Sequence, residues 1–234
     1  MKNKTELIID NDWVSKIEIL YINDDNLILK AAYNFRDSKL KNNKFNPLGL
    51  IVNNAYIDDK NIKSILAHEL QHAYEDYNRR VNNKSSLYDV VYNLQFPKNK
   101  PGTYKGNKNK LSYILYFIRK VEQNAYISQL NKELKQNRNK FVYIDDIYNF
   151  IKTTDTYDNY SCCIKWIDDI INIKDKQEQE NILQYCEDLS VYKFNTFNQL
   201  TKFLTTHKNK ILKKFNNIVP KMIYNTINLG SYID

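Results

Sequence analysis

The stretch "NIKSILAHELQHAYEDYNRR", residues 61–80, decides the fold because it reads as one amphipathic helix. Its apolar residues recur at helical spacing, and polar side chains around its start can cap the first turn. The pattern predicts a helix that begins near residue 60 and ends near residue 78. The apolar positions are Ile62, Ile65, Leu66 and Ala73, and the candidate caps are Asp58, Asp59 and Asn61.

Two of the three histidines of the chain lie in this helix, four positions apart, with Glu69 directly after the first. Positions i and i+4 are only about 40° apart around a helix axis, so His68 and His72 project side by side. Two imidazoles so placed can bind one metal ion, and Glu69 can reach a water molecule on that ion as a general base. The HExxH spacing therefore predicts a metal site. The alternative interpretation is two polar residues that share a helix face by chance.

Three segments before this helix read as β-strands, at residues 16–22, 26–35 and 48–57. They are rich in Ile, Leu, Val and Tyr, and polar segments with Asn, Asp, Pro and Gly separate them. We therefore expect a small mixed sheet that precedes the histidine helix.

The sequence after the histidine helix has a different character. Residues 81–110 read mostly as a loop, and residues 110–135 read as one long helix with an apolar stripe. Apolar segments at helical spacing continue from residue 143 to residue 228, where Pro220 is expected to kink or end the last major helix. The second half is therefore expected to be all-helical.

These elements predict an α+β protein built as a single unit with two parts. Residues 1–80 hold the sheet and the histidine helix, and residues 81–234 form a helical lobe. The length of 234 residues suits one sizeable core or two lobes around a cleft.

The segment "AHELQHAYEDY" (67–77) resembles the active-site helix of the zincin metallopeptidases, and its HEL.HA..DY pattern is similar to that of thermolysin-like enzymes. The resemblance implies a zincin-like fold, in which this helix lies beneath a mixed sheet whose edge strand binds an extended peptide. It also implies a Zn²⁺ cofactor bound by His68 and His72. Since they come just before the helix, Asn54, Ala55 and Tyr56 are the expected substrate-binding residues of that edge strand.

A zincin needs a third protein ligand, and the sequence after His72 lacks the Gly and His of the metzincin pattern. Gluzincins take a Glu from a later helix, and Glu122 interrupts an apolar stripe, so its helix carries the carboxylate toward the core. Its surroundings, "RKVEQNAY", look like the ExxA signature of gluzincin third-ligand helices. We expect Glu122 to be the third ligand, with Glu75 and Asp89 as alternatives.

Further roles complete the expected site. Glu69 is the expected general base, and Tyr126 and His207 are candidates for the donor that stabilises the developing oxyanion. An ordinary structural role is the alternative for either donor. Glu75 and Asp76 are expected to orient a metal-bound histidine through a hydrogen bond.

The composition is that of an ordinary globular protein with a formal net charge of +8. Lys and Arg outnumber Asp and Glu by 35 to 27, but no recognised nucleic-acid motif accompanies them, so we expect no nucleic-acid partner. The odd set of Cys162, Cys163 and Cys186 favours buried thiols in a reducing compartment. The sequence shows no apolar segment of signal-peptide or membrane-spanning length, so we expect a cytoplasmic protein without membrane contact.

Together these features predict a zinc-dependent endopeptidase that hydrolyses peptide bonds of protein or peptide substrates. One alternative is a zincin-like module, such as a virion or regulatory component, that binds a partner without cleaving it. The other is a basic nucleic-acid-binding protein in which the HExxH motif is accidental.

Overall fold

The computed structural model describes residues 4–9, 11–23, 30–58, 62–84, 106–189 and 192–228. The protein is α+β, as predicted, with a small mixed sheet followed by helices. No helix within the described ranges is both long and apolar enough to cross a membrane.

The described strands are β1 (Lys4–Ile8), β2 (Lys16–Ile22), β3 (Ala31–Asn34), β4 (Leu40–Lys41), β5 (Lys44–Phe45) and β6 (Leu48–Asn53). Four of them form one sheet in the order β1-β2-β6-β3, while β4 and β5 pair separately. Because β6 runs parallel to β2 and antiparallel to β3, the sheet is mixed. The central strand β6 is buried along nearly its whole length, which its apolar run explains.

The strand predictions are confirmed in part. The predicted strand at 16–22 coincides with β2, but the predicted strand at 48–57 is too long because β6 ends at Asn53. There the Asn53 side-chain oxygen accepts a hydrogen bond from the Ala55 N–H at 3.2 Å and starts a 3₁₀ turn, Asn54–Tyr56. Of the predicted strand at 26–35, residues 26–29 lie outside the described residues, and β3 occupies Ala31–Asn34.

The described helices are α1 (Ile62–Val81), α2 (Asn107–Phe117), α3 (Lys120–Asn137), α4 (Ile144–Ile151), α5 (Asp155–Ile171), α6 (Lys176–Asp188) and α7 (Phe197–Asn228), with a 3₁₀ turn at Arg138–Lys140. The predicted helical character of residues 143–228 is confirmed. Pro220 lies inside α7, so the prediction that it might end that helix is wrong.

The prediction of one helix over 110–135 is wrong because two helices meet there. Arg119 adopts an extended conformation, with φ −68° and ψ 136°, and separates α2 from α3. The Gln123 side chain donates to the Ile118 carbonyl oxygen at 3.1 Å, which satisfies one carbonyl at the break. Neither proline nor glycine marks the position, so helical periodicity runs through it unbroken in the sequence.

Helix α1 confirms the predicted helix at 60–78 and extends to Val81, although residues 59–61 with their candidate caps lie outside the described residues. One stripe of the helix packs against the sheet, because Leu70, Ala73 and Tyr77 recur at spacings of three and four. The core that they join consists of Val14, Ile17, Tyr33, Phe45, Leu48 and Leu50.

Contacts along the chain define two compact units. The first consists of residues 1–93 and 124–133, and it holds the sheet, α1 and the middle of α3. The second consists of residues 94–123 and 134–234. Its core is purely helical and centres on Tyr160, whose ring lies 4.8 Å from that of Phe117 and 4.7 Å from that of Phe215.

Candidate metal centre

The two histidines of α1 face each other through their ring nitrogens. The Nε2 atoms of His68 and His72 are 3.2 Å apart, and His68 is only 7% exposed. Two nitrogens bound to one tetrahedral zinc ion, each at about 2.0–2.1 Å, would be separated by roughly 3.3 Å. The pair therefore already has the spacing that a shared ion requires.

Glu122 joins this pair from the first turn of α3. Ligand atoms of His68, His72 and Glu122 all lie within 4.8 Å of one another. Glu122 is 4% exposed, which confirms the prediction that its helix carries the carboxylate away from solvent. Two imidazole nitrogens and a carboxylate oxygen are a donor set of catalytic zinc sites, which leave a fourth position open. The three residues fit a zinc ion and could hold a metal.

Side chains in the middle of α3 contact α1. The Tyr126 ring lies edge-on to the His68 ring, with centroids 4.7 Å apart, and Ser128 Oγ donates to the Ala67 carbonyl oxygen at 3.4 Å. Ala125, one turn after Glu122, is fully buried.

Glu75 was expected to orient a histidine ring, but its hydrogen bonds run elsewhere. Its Oε1 atom accepts from Asn124 Nδ2 at 2.7 Å and from Gln71 Nε2 at 3.1 Å. Since Asn124 belongs to α3, its bond to Glu75 connects α3 to α1, while the bond from Gln71 lies within α1. Glu75 therefore acts on the relative position of α1 and α3 rather than on one ring.

Asp76 was also expected to orient a histidine, but its described bonds run to β3 and to its own helix. It is fully buried, accepts from the Tyr33 hydroxyl at 2.7 Å and forms an ion pair with Arg80 at 2.8 Å. Burial, followed by the charge of Asp76, raises the pKa of Tyr33, so the hydroxyl keeps the proton that it donates. Asp76 therefore ties the strand β3 to α1.

Glu69 contacts the same strand through the backbone. Its Oε2 atom accepts a hydrogen bond from the Tyr33 N–H at 2.8 Å. The Asn53 N–H donates to the Lys30 carbonyl oxygen, so the pair Lys30–Asn53 is hydrogen-bonded across β3 and β6. Hydrogen-bonded and non-hydrogen-bonded pairs alternate along antiparallel strands, so the pair Tyr33–Leu50 is not hydrogen-bonded and the Tyr33 N–H points away from β6. Among the described strands β3 is an outer strand of the four-stranded sheet. The Glu69 carboxylate therefore lies at a sheet edge.

The prediction that Asn54, Ala55 and Tyr56 form the edge strand is wrong. They form the 3₁₀ turn that follows β6, and β6 is a central strand. The error has a topological cause: β3 precedes β6 in the sequence but lies outside it in the sheet. The strand just before α1 is therefore not the strand at the edge.

The two candidate oxyanion donors differ in their surroundings. Tyr126 is partly buried and contacts His68. His207 lies on α7, where its ring centroid is 4.4 Å from that of Phe203. Burial, together with the charge of Lys210, lowers the pKa of His207. Both neighbours belong to its own helix. Asp89, the other alternative ligand, lies outside the described residues.

Arg119 is a neighbour of Glu122 that the sequence analysis did not single out. Burial lowers the pKa of Arg119 to about 10, while the charges of Glu122, Tyr192 and Tyr116 act in the opposite direction. A cation near Glu122 favours the ionised carboxylate, which is the form that binds a metal. The signal in the sequence was the spacing, because an Arg three positions before a Glu can interact with it.

The candidate centre thus combines three metal-ligand side chains with a carboxylate at a strand edge and a tyrosine beside one histidine. Comparison of the chain with protein-family models, curated proteins and solved structures finds no match.

Proposed function

We propose that the protein is a zinc-dependent peptidase that hydrolyses peptide bonds, with a zincin-like arrangement of its sheet and α1. The observation that carries the proposal is that ligand atoms of His68, His72 and Glu122 lie within 4.8 Å of one another. The two histidines belong to α1, which also bears Glu69. His68, His72 and Glu122 would hold the ion.

The residues of the chain supply the rest of the chemistry. A bound zinc ion lowers the pKa of a water molecule in its open position toward neutrality. Glu69 would take the proton from that water and pass it to the leaving amine. The hydrogen bond from the Tyr33 N–H fixes the orientation of the carboxylate, so its rotation is restricted before substrate binds. Tyr126, whose ring lies edge-on to that of His68, would donate to the developing oxyanion.

The edge of β3 is the proposed binding site for an extended peptide. The register on β6 places Ala31, like Tyr33, in a pair whose backbone groups point away from the sheet. A substrate strand can pair with the backbone groups of Ala31 by strand addition, whereas the Tyr33 N–H already donates to Glu69. Because Glu69 bonds the Tyr33 N–H, a peptide on this edge would run past the proposed general base.

A second candidate is a non-catalytic, zincin-like binding module. The bond between Glu69 and the Tyr33 N–H favours it, since this bond alone gives Glu69 a structural role in fixing β3 to α1. In that case removing the carboxylate charge would change stability and leave no activity to lose.

Glu69→Gln tests the proposal against this candidate. The amide keeps the size of the side chain and an oxygen that accepts from the Tyr33 N–H, but it cannot take a proton. We expect cleavage of an unfolded protein substrate to fall at least about 100-fold, with one zinc per chain retained. Cleavage is followed by release of fluorescent peptide fragments from zinc-loaded protein.

The matched control is Glu133→Gln, a buried glutamate on α3 that accepts from Gln129 at 3.0 Å. It should keep the wild-type rate. Unchanged turnover in Glu69→Gln would reject the mechanism, and absence of turnover in the wild type would favour the binding module.

A further inference from the structure

Helix α7 differs from the rest of the chain in lacking acidic residues. About one residue in nine of the chain is Asp or Glu, so a helix of 32 residues would carry roughly four, yet α7 has none beside six lysines. A general bias toward lysine does not explain the missing acids. Helices α5 and α6, by contrast, carry eight acidic residues: Asp155, Asp158, Asp168, Asp169, Glu178, Glu180, Glu187 and Asp188.

Four of these lysines form a row on the outer surface of α7. A helix rotates by about 100° per residue, so the four side chains fall within an arc of roughly 100° around the axis. It rises by about 1.5 Å per residue, so the row is roughly 28 Å long. Exposed Thr and Asn side chains lie between them, so the row is interrupted by hydrogen-bond donors and not by opposite charges. The lysine row consists of Lys202, Lys210, Lys213 and Lys221.

The opposite side of α7 is already occupied by the core of the second unit. Its buried side chains are Leu200, Leu204, Ile211, Val219, Met222 and Ile223. A helix that binds a membrane surface must insert its apolar face among the lipids, and α7 has no such face to spare. The lysine row is therefore available to a partner that is recognised by negative charge.

Exposed aromatic rings lie near the end of this row. Tyr224 is 68% exposed, and the helix periodicity places it in the same arc as the lysines. Just beyond it, Ile227 and Tyr143 line an open groove of about 800 Å³ that includes one cation, Arg138, and one carboxylate, Asp145. Tyr143 is 73% exposed. Exposed tyrosines next to cations are suited to stacking on unpaired bases.

We propose that the lysine row, Tyr224 and the groove at Tyr143 form a binding surface for single-stranded nucleic acid. The lysines would follow the phosphates, and the two tyrosines would stack on bases. A duplex would contact the lysines through its phosphates, but it would offer no bases to the tyrosines because its bases are already stacked on one another. The surface is independent of the proposed peptidase site. The sequence at 202–215 already has the pattern of a basic amphipathic helix, which is typical of a helix that contacts nucleic acid or a partner and equally of a packed helix with a lysine-covered face. The packing of α7 separates its exposed lysines from the others.

The salt dependence of binding tests the lysine row. A fluorescein-labelled 20-nucleotide oligothymidylate is titrated with the full-length protein, and binding is followed by fluorescence anisotropy. Four phosphate contacts on a single strand give a slope of about −2.8 in log K against log salt, so Kd should rise roughly 50-fold between 50 and 200 mM NaCl. The variant Lys202→Gln/Lys210→Gln/Lys213→Gln/Lys221→Gln should lose most of this dependence and bind at least tenfold more weakly at 50 mM.

The matched control removes the same charge elsewhere. Lys39, Lys41, Lys63 and Lys84 are exposed and lie in the first unit. Their fourfold replacement by Gln should leave the affinity within threefold of the wild type. An equal loss in both variants would mean that net charge alone drives binding, which would overturn the proposal.

The tyrosines are tested separately from the charges. Tyr143→Ala/Tyr224→Ala should weaken binding at least fivefold and leave the salt slope unchanged, since stacking carries no counterion release. Binding to a 20-base-pair duplex should be weaker than binding to the single strand. Equal or tighter binding to the duplex, or to phosphatidylglycerol vesicles, would overturn the assignment to single strands, as would an unchanged affinity of the double variant.

Discussion

Helices α1 and α7 both carry many polar residues, but only α1 buries them. Ser64, His68 and Asp76 are buried on α1, whereas the buried side chains of α7 are all apolar. A buried polar group is costly unless it has a partner, so α1 needs groups from other elements and α7 does not. The candidate metal centre therefore depends on side chains from several elements, whereas the lysine row belongs to a single helix.

The partners of α1 come from two directions. The strand β3 supplies the Tyr33 N–H and hydroxyl to Glu69 and Asp76. Helix α3 supplies Asn124 to Glu75 and brings Glu122 to the histidines. Substitutions on α1 and α3 should therefore change metal binding or stability, while substitutions of exposed α7 residues should change neither.

The largest expected effect comes from Glu122→Ala, because it removes one of three proposed ligands. We expect the zinc content to fall from about one per chain to less than a tenth, with peptidase activity lost in parallel. Metal analysis after dialysis measures this. Full zinc occupancy in Glu122→Ala would mean that another residue is the third ligand.

Asp76→Ala should be the most destabilising substitution on α1. It leaves Arg80 without its ion-pair partner and the Tyr33 hydroxyl without its acceptor, at a cost of about 3 kcal/mol. Urea denaturation in the presence of a chelator measures the free energy of unfolding without a metal contribution. Asp12→Ala, which removes an exposed carboxylate, should cost less than about 0.5 kcal/mol. An equal loss in the free energy of unfolding for the two variants would contradict the distinction between buried and exposed polar groups.

Glu75→Ala should weaken zinc binding by roughly tenfold without abolishing it. The substitution removes the hydrogen bond from Asn124 that connects α3 to α1, together with the bond from Gln71 within α1, so Glu122 is held less firmly. Competition with a chromophoric chelator gives the affinity. Glu75→Gln keeps an acceptor oxygen and should restore most of it, and an unchanged affinity in Glu75→Ala would deny Glu75 this positioning role.

The smallest effect is expected on α7. Replacing Lys210 or Lys213 by Gln should change the free energy of unfolding by less than about 0.5 kcal/mol, because both side chains are exposed. Zinc content should not change. A loss above 1 kcal/mol in the same urea assay would show that the lysine row has a structural role.

Local patterns in the sequence predicted the parts of the fold that depend on short-range order. The strand β2 and the helix α1 follow from alternation and helical spacing in contiguous residues. The break at Arg119 was not predicted, because neither Pro nor Gly marks it in the sequence. Strand β1 was also missed: its five residues are all exposed, so no buried face imposes a pattern on them.

The candidate site was predictable where one helix determines it. The spacing of His68 and His72 fixes their proximity, and the apolar stripe around Glu122 indicated its burial. The bonds of Glu75 and Asp76 depend on which elements pack against α1. The edge strand was predicted wrongly because β6, which comes later in the sequence than β3, lies inside it in the sheet. Long-range packing of this kind leaves no local pattern.

The most direct test of the central claim is X-ray absorption at the zinc edge of protein purified with zinc and dialysed. We predict one zinc per chain with a shell of nitrogen and oxygen ligands at about 2.0–2.1 Å that includes two imidazoles. Absence of stoichiometric zinc, or sulfur scattering at about 2.3 Å from the cysteines, would contradict a centre built from His68, His72 and Glu122.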